Sequence, residues 1–162
     1  MLTIYTIGHS SHPLERFLEL LKEHGIELIV DVRSRPYSRY VPHFNRRALE
    51  NALKKEGIEY RFLGDKLGGQ PEDEAFRRKD GAVDYERLLR SPRLREGIGE
   101  VIALAARFRL ALLCGEEDPG KCHRKRLLAP LFRERGVEVL HIRGDGAIDS
   151  TDEVFPTLPL KG

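Results

Sequence analysis

Three times in this chain a glycine stands between a polar helical run and a β-branched residue that opens an apolar one: His24-Gly25-Ile26, Glu56-Gly57-Ile58 and Arg135-Gly136-Val137. A glycine just past the last helical turn supplies the left-handed residue that ends a helix. Each of these glycines leads straight into a predicted strand. The remaining segments fit the same rhythm. Residues 3–7 read as a first strand. Ser11 is expected to cap a helix with Pro13 in its first turn, with Leu14, Phe17, Leu18 and Leu21 on one face. Residues 28–32 form a second strand, apolar on both faces as buried parallel strands are. Asn45 is expected to cap a helix carrying Ala48, Leu49, Ala52 and Leu53 on one side, and a third strand spans 58–63. Residues 64–81 are polar and glycine-rich and read as a long loop, with a short helix at 85–90. Ser91-Pro92 opens a longer helix that turns Leu94, Ile98, Ile102 and Ala105 inward. A fourth strand at 109–113, a helix at 121–135 and a fifth strand at 137–142 complete the series. Such alternation predicts a Rossmann-like α/β fold: a three-layer sandwich around a mostly parallel five-stranded sheet. A single domain is expected over 1–143, followed by an irregular tail over 144–162 that Phe155, Leu158 and Leu160 would dock.

Composition narrows the setting. The 162 residues are 33% charged and 40% hydrophobic, as a one-domain globule requires. No apolar run approaches the roughly 18 residues of a membrane span, and no basic region precedes the apolar N-terminus as a secretion signal requires. With two cysteines and no signal, the chain is expected in the reducing cytoplasm, where thiols serve as reactive groups or ligands more often than as staples. Arginine supplies 20 of the 28 basic residues, and Asn plus Gln total only three. From that charge-rich, amide-poor balance a heat-loving source is expected. Net charge is +2, but residues 31–47 set Arg33, Arg35, Arg39, Arg46 and Arg47 against Asp31 alone, while the tail is acidic.

Open parallel sheets bind ligands beyond the carboxyl ends of their strands. After the first apolar run come Gly8, His9 and Ser10; after the second, Arg33, Ser34, Arg35 and Pro36; after the fourth, Cys114, Gly115 and Glu116; the fifth contributes His141 and Arg143. Arg33, Ser34, Arg35 and Arg39, joined by Arg124 from the cysteine segment, suit an anion with several oxygens, because a guanidinium offers paired donors to phosphate. Asp31 would orient one of them, and Ser10 would add a hydroxyl. Tyr37, Tyr40 and Phe44 interleave with these arginines, a mixture that stacks a base while holding its phosphate. Cys114 and Cys122 are separated by seven residues. The carboxylates Glu116, Glu117 and Asp118 oppose a thiolate at Cys114, whereas Cys122 opens a helix between Lys121 and Arg124, features that lower a thiol pKa. His9, His123 and Glu116 are the proton-transfer candidates, and Cys122 the nucleophile. No cofactor is predicted. Zinc is the minority alternative, since the cysteine spacing is not that of a finger and a fourth ligand would have to come from His9, His43 or His141.

Thr6-Ile7-Gly8-His9-Ser10, Asp31-Val32-Arg33-Ser34-Arg35-Pro36, Leu67-Gly68-Gly69 and the run from Leu113 to Arg124 (Cys114, Glu116, Pro119, Cys122, His123, Arg124) occur here in this order. Together they resemble the domain-of-unknown-function family DUF488 over residues 3–142. The resemblance implies a compact α/β domain and brings no assigned reaction with it. A weaker similarity, to rhodanese-type sulfurtransferases, shares an Asp-x-Arg after one strand and a Cys at the end of another. It fails at the loop after Cys114, which is acidic and contains a proline without an N–H.

The expected function is an enzyme acting on a phosphate-bearing substrate, a nucleotide or nucleic acid, at a Cys/His/Arg/Glu site at the strand ends. The alternatives are a thiol-dependent sulfur or acyl transferase and a non-catalytic nucleic-acid-binding module. The expected partner is a phosphate-bearing small molecule or a nucleic acid, not a membrane, and the sequence leaves the oligomeric state open.

Overall fold

The parity of the buried residues explains the architecture. In strand β1 (Thr3–Gly8), Ile4 faces one core while Tyr5 and Ile7 face another. The same split divides Leu28 and Val30 from Ile29 in β2 (Leu28–Asp31), and Leu110 and Leu112 from Ala111 and Leu113 in β4 (Leu110–Cys114). Side chains alternate across a pleated sheet, so a strand apolar at every position needs cover on both faces. A computed structural model of the protein describes residues 2–68, 78–116 and 127–150 and supplies that cover. Helices α1 (Leu14–Glu23) and α2 (Arg46–Lys55) pack on one face through Phe17, Leu20, Leu21, Leu49 and Leu53. Helices α5 (Pro92–Ala105) and α6 (Ala129–Glu134) pack on the other through Leu94, Ile98, Val101, Leu131 and Phe132. The result is the expected three-layer α/β sandwich.

Among the described residues the sheet has six strands, in the order β3-β2-β4-β1-β5-β6, where β3 is Glu59–Phe62, β5 is Glu138–Ile142 and β6 is Ile148–Ser150. Strands β1 to β5 are parallel, and β6 pairs antiparallel with β5. The sixth strand corrects the expected five. Residues 144–150 are not irregular: Asp145 and Gly146 turn the chain back, with Gly146 at φ 91 and the Arg143 amide donating to the Ala147 carbonyl at 2.8 Å. Asp-Gly between two extended runs is a strong hairpin signal. Residues 151–162, where the docking tail was expected, lie outside the described residues.

Two capping expectations also change. Pro13 occupies the N-cap of α1, in extended conformation and with no side-chain cap, so Ser11 stands outside the helix. Asn45 is the N-cap residue of α2, but its side-chain oxygen accepts the Ser38 amide at 2.6 Å instead of a helical one. Ser91 does cap α5, accepting from the Leu94 amide at 3.3 Å. The predicted loop after β3 begins with a short helix, α3 (Gly64–Leu67). A further turn of helix, α4 (Tyr85–Leu88), precedes α5. No helix among the described residues is long and apolar enough to cross a membrane.

Strand order positions the site. Right-handed crossovers carry β1→β2 and β2→β3 over the face that holds α1 and α2, and β3→β4 and β4→β5 over the opposite face. The chain therefore leaves β4 toward one side of the sheet and leaves its neighbours β2 and β1 toward the other. A crevice opens where neighbouring strands send their loops to opposite faces. The carboxyl end of β4 has such a boundary on each flank.

Candidate functional site

Three strand ends are bonded together at this edge. The His9 amide donates to the Cys114 carbonyl at 3.0 Å, the Ser10 amide to the Gly115 carbonyl at 2.8 Å, and the Val32 amide to the Leu113 carbonyl at 3.1 Å. Ser10 holds φ 47, the one positive φ among the described non-glycine residues. That left-handed turn lifts the chain out of β1 directly after His9.

His9 is buried, with its ring stacked on Phe44 at 4.7 Å between centroids and 20° between planes. Its Nδ1 lies 2.8 Å from the Ser10 carbonyl oxygen. A carbonyl only accepts, so Nδ1 carries the proton and Nε2 presents a lone pair. Burial, with the Arg33 guanidinium adding to it against the opposing Ser10 hydrogen bond, lowers the His9 pKa to about 4. The ring is therefore neutral at pH 7. Gly115 lies opposite: a Cβ there would stand 3.6 Å from Nε2.

Asp31 and Arg33 form a buried ion pair beside His9. Asp31 is fully buried and accepts from the Arg33 amide at 3.1 Å, from Arg33 Nε at 2.9 Å, from Arg33 Nη2 at 2.8 Å and from the Tyr60 hydroxyl at 2.5 Å. Arg33 Nη1 donates to the Phe44 carbonyl at 2.8 Å. Arg33 is thus a brace tying the end of β2 to the residue on which His9 stacks. Desolvation, with the Asp31 charge reinforcing it, raises the Tyr60 pKa and keeps the phenol protonated. Sequence reasoning misses both Tyr60 and the part that Phe44 plays in this brace. Tyr60 sits in a short, half-exposed strand whose alternation of charged and aromatic residues marks a strand but not a partner for Asp31.

The loop after Arg33 is held just as closely. A Cβ on Gly64 would lie 1.9 Å from the Arg33 carbonyl oxygen, and one on Gly68 would lie 2.1 Å from Ser34 Oγ. The chain then runs into an exposed basic arm. The Arg46 amide donates to the Pro36 carbonyl at 2.9 Å, and Ser38 Oγ accepts the Tyr40 amide at 3.0 Å. No carboxylate occurs from Val32 to Leu49. Arg35, Arg39, Arg46 and Arg47 are all exposed, and none has a carboxylate partner among the described residues. Two of them lie over aromatic rings instead: Arg39 is 5.9 Å from the Tyr40 ring centroid and Arg46 is 4.3 Å from that of Phe62.

Other expectations are distributed differently. Cys114 is buried and disulfide-bonded, so it presents no thiol here. Glu116 is exposed at the margin of the site. His141 does not reach the edge: it is buried inside the sheet, its Nδ1 2.6 Å from Thr6 Oγ1. Arg143 pairs with Asp149 across the β5–β6 turn at 2.6 Å. Three strands, not four, supply the site. Cys122, His123 and Arg124 lie outside the described residues, as does Gly69 of the Leu67-Gly68-Gly69 motif. Among the described residues no group of three or more His, Cys, Asp or Glu side chains is placed to hold a metal ion.

Residues 13–131 match the family model of the domain of unknown function DUF488. The match spans the basic arm, the Asp31–Arg33 pair and the cysteine segment, and it leaves the His9 turn just outside its boundary. No curated protein and no solved structure matches the chain.

Proposed function

Since the chain belongs to the DUF488 family, whose description assigns no reaction, we propose its function from the site: an enzyme that binds a phosphate-bearing substrate, a nucleotide or nucleic acid, on the basic arm and acts on it at His9. The observation that carries this reading is the set of four exposed arginines without carboxylate partners among the described residues, on the segment that also carries Phe44, the ring on which a histidine held neutral is stacked. Charged side chains elsewhere on the surface are largely interleaved with opposite charge, as in Lys66 with Glu100 or Arg93 with Asp65. An uncompensated cluster attracts and orients anions. Arg35 and Arg39 are the first candidates for phosphate, with Arg46 and Arg47 extending the field. Arg33, which the sequence put among the anion binders, serves better as the brace that fixes the arm to β2. Ser34 is pinned by the Gly68 turn and helps set where the arm departs.

His9 fits a general base, because its Nδ1–H is occupied by the Ser10 carbonyl and its Nε2 lone pair faces the Gly115 side of the crevice. It would accept the proton of a water or hydroxyl nucleophile while the arginines hold the phosphate. Glu116 at the margin is a second proton-transfer group. A sulfur or acyl transfer through Cys114 draws no support, since that sulfur is bonded.

The test has two parts. Binding to a panel of nucleotides and short oligonucleotides should weaken at least tenfold in the Arg35→Ala/Arg39→Ala double variant. Mass spectrometry of the bound ligands after incubation should show conversion by the unaltered protein, and none by His9→Asn, which keeps its affinity. Binding indifferent to the arginines removes the proposal. Binding with no conversion leaves a non-catalytic module in its place.

A further inference from the structure

The geometry of the basic arm points to single-stranded nucleic acid as the ligand, its bases stacked on Tyr37 and Tyr40 and its phosphates on the flanking arginines; this deepens the phosphate-binding reading above and rests on it. The observation is the placement of the aromatics. Tyr37 and Tyr40 are 75% and 84% exposed. Apart from Ile148 in β6, at 36%, they are the only exposed large hydrophobic side chains among the described residues. Both fall within four residues of one loop, and Arg39 stands between them. Tyr40 carries only the Arg39 guanidinium near its ring, 5.9 Å from the centroid; a tyrosine this exposed gives up little by accepting a ring on its face, and every base has such a face.

The loop is also held in place, which a stacking platform requires. The Tyr37 amide donates to the Arg35 carbonyl at 2.8 Å, the Ser38 amide to Asn45 Oδ1 at 2.6 Å, and the Tyr40 amide to Ser38 Oγ at 3.0 Å. The Arg46 amide fastens Pro36 to the start of α2. Side-chain bonds that elsewhere cap a helix are used here to fix the loop, so little ordering remains to be done on binding. Charge and stacking alternate along the chain as Arg35, Tyr37, Arg39, Tyr40, with Arg46 and Arg47 across the loop. That order matches a strand in which phosphates and unpaired bases alternate. A duplex hides its base faces and would engage only the arginines. A lone nucleotide would engage one ring and one phosphate.

The test compares a fluorescently labelled single-stranded 12-nucleotide oligomer, the same sequence as duplex, and a labelled mononucleotide. Each is measured by anisotropy against the unaltered protein, Tyr37→Ala/Tyr40→Ala, Tyr37→Phe/Tyr40→Phe and Arg35→Ala/Arg39→Ala. Both tyrosines are on the surface, so the variants should keep the thermal midpoint of the parent. The single strand should bind most tightly and lose about tenfold or more on the alanine pair, from base stacking at two positions. The phenylalanine pair should bind like the parent, because it keeps the stacking faces and loses only the hydroxyls. The arginine pair should flatten the dependence of affinity on salt. Equal binding of duplex and single strand, or indifference to the tyrosine pair while the arginine pair still weakens binding, overturns the single-strand inference and leaves phosphate recognition standing. Loss of salt-dependent binding to all three ligands in the unaltered protein removes the parent reading as well.

Discussion

At the scale of single residues, the fully buried Asp31 is the organising group. It receives four donors, three from Arg33 and one from Tyr60. A buried ion pair is retained only when its remaining lone pairs are satisfied, and removing one partner strands the other charge. Asp31→Asn should therefore destabilise the fold by about 3–5 kcal/mol, because the Arg33 guanidinium is left without a counter-ion. Tyr60→Phe should cost less, about 1–3 kcal/mol, since Arg33 continues to satisfy both carboxylate oxygens. Urea denaturation of the two variants checks the order; a costlier Tyr60→Phe would mean that the phenol, not the guanidinium, holds the carboxylate. The sequence made the pairing legible, because Asp and Arg flank one residue at the end of an apolar run. It could not make the consequence legible. Spacing does not reveal that the guanidinium also reaches Phe44 and is turned from ligand to brace.

At the scale of elements, the carboxyl edge is shaped by glycines that let backbones touch. A Cβ on Gly64 would meet the Arg33 carbonyl, and one on Gly97 in α5 would come within 2.8 Å of Leu67 Cδ2. Together they seat α3 between the end of β2 and the face of α5. Gly99, two residues along the same helix, has nothing within 4 Å of a Cβ. Opposite outcomes are expected for the same substitution. Gly64→Ala should destabilise by about 1–3 kcal/mol or more, as the arm is pushed off its seat. Gly99→Ala should stabilise by about 0.5–1 kcal/mol, the ordinary gain in a helix interior. Thermal melts of both variants decide the point, and matching signs would contradict the packing described. The polarity of 64–81 suggested only a loop, since a four-residue helix leaves no periodicity to detect. Strand β6 was missed for a different reason. Its Asp145-Gly146 turn is a legible hairpin signal, but Ile148-Asp149-Ser150 carries too little apolar character to mark a strand. The caps of α1 and α2 were misjudged because cap propensity names a residue type without saying whether another amide will claim its side chain, as Ser38 claims Asn45.

At the scale of the whole molecule, topology made most of the site foreseeable. Parallel strands put all their carboxyl ends at one edge, so residues that come directly after separate apolar runs become neighbours in space. That held for β1, β2 and β4. It failed for β5 because His141 lies within the strand, opposite Thr6, and because Arg143 turns into the hairpin. The order β3-β2-β4-β1-β5-β6, which the sequence does not encode in any local pattern, is what places His9 and Arg33 on the two flanks of Cys114. Burial of His9 at this edge also bears on the stability of the entire fold. His9 titrates near 4 in the native protein and at 6.5 when unfolded. A depressed histidine pKa means that the unfolded chain takes up the proton first. Above about pH 6.5 both states are neutral, and His9 leaves stability independent of pH. As pH falls from 6.5 toward 4, the unfolded state is protonated while the native state is not, so its contribution declines, by up to about 3 kcal/mol in all, and levels off below 4. Unfolding free energies measured from pH 7.5 to 4 should fall more steeply for the unaltered protein than for His9→Asn. Parallel curves would mean that the ring titrates alike in the folded and unfolded chains, and that burial does not hold it neutral below pH 6.5.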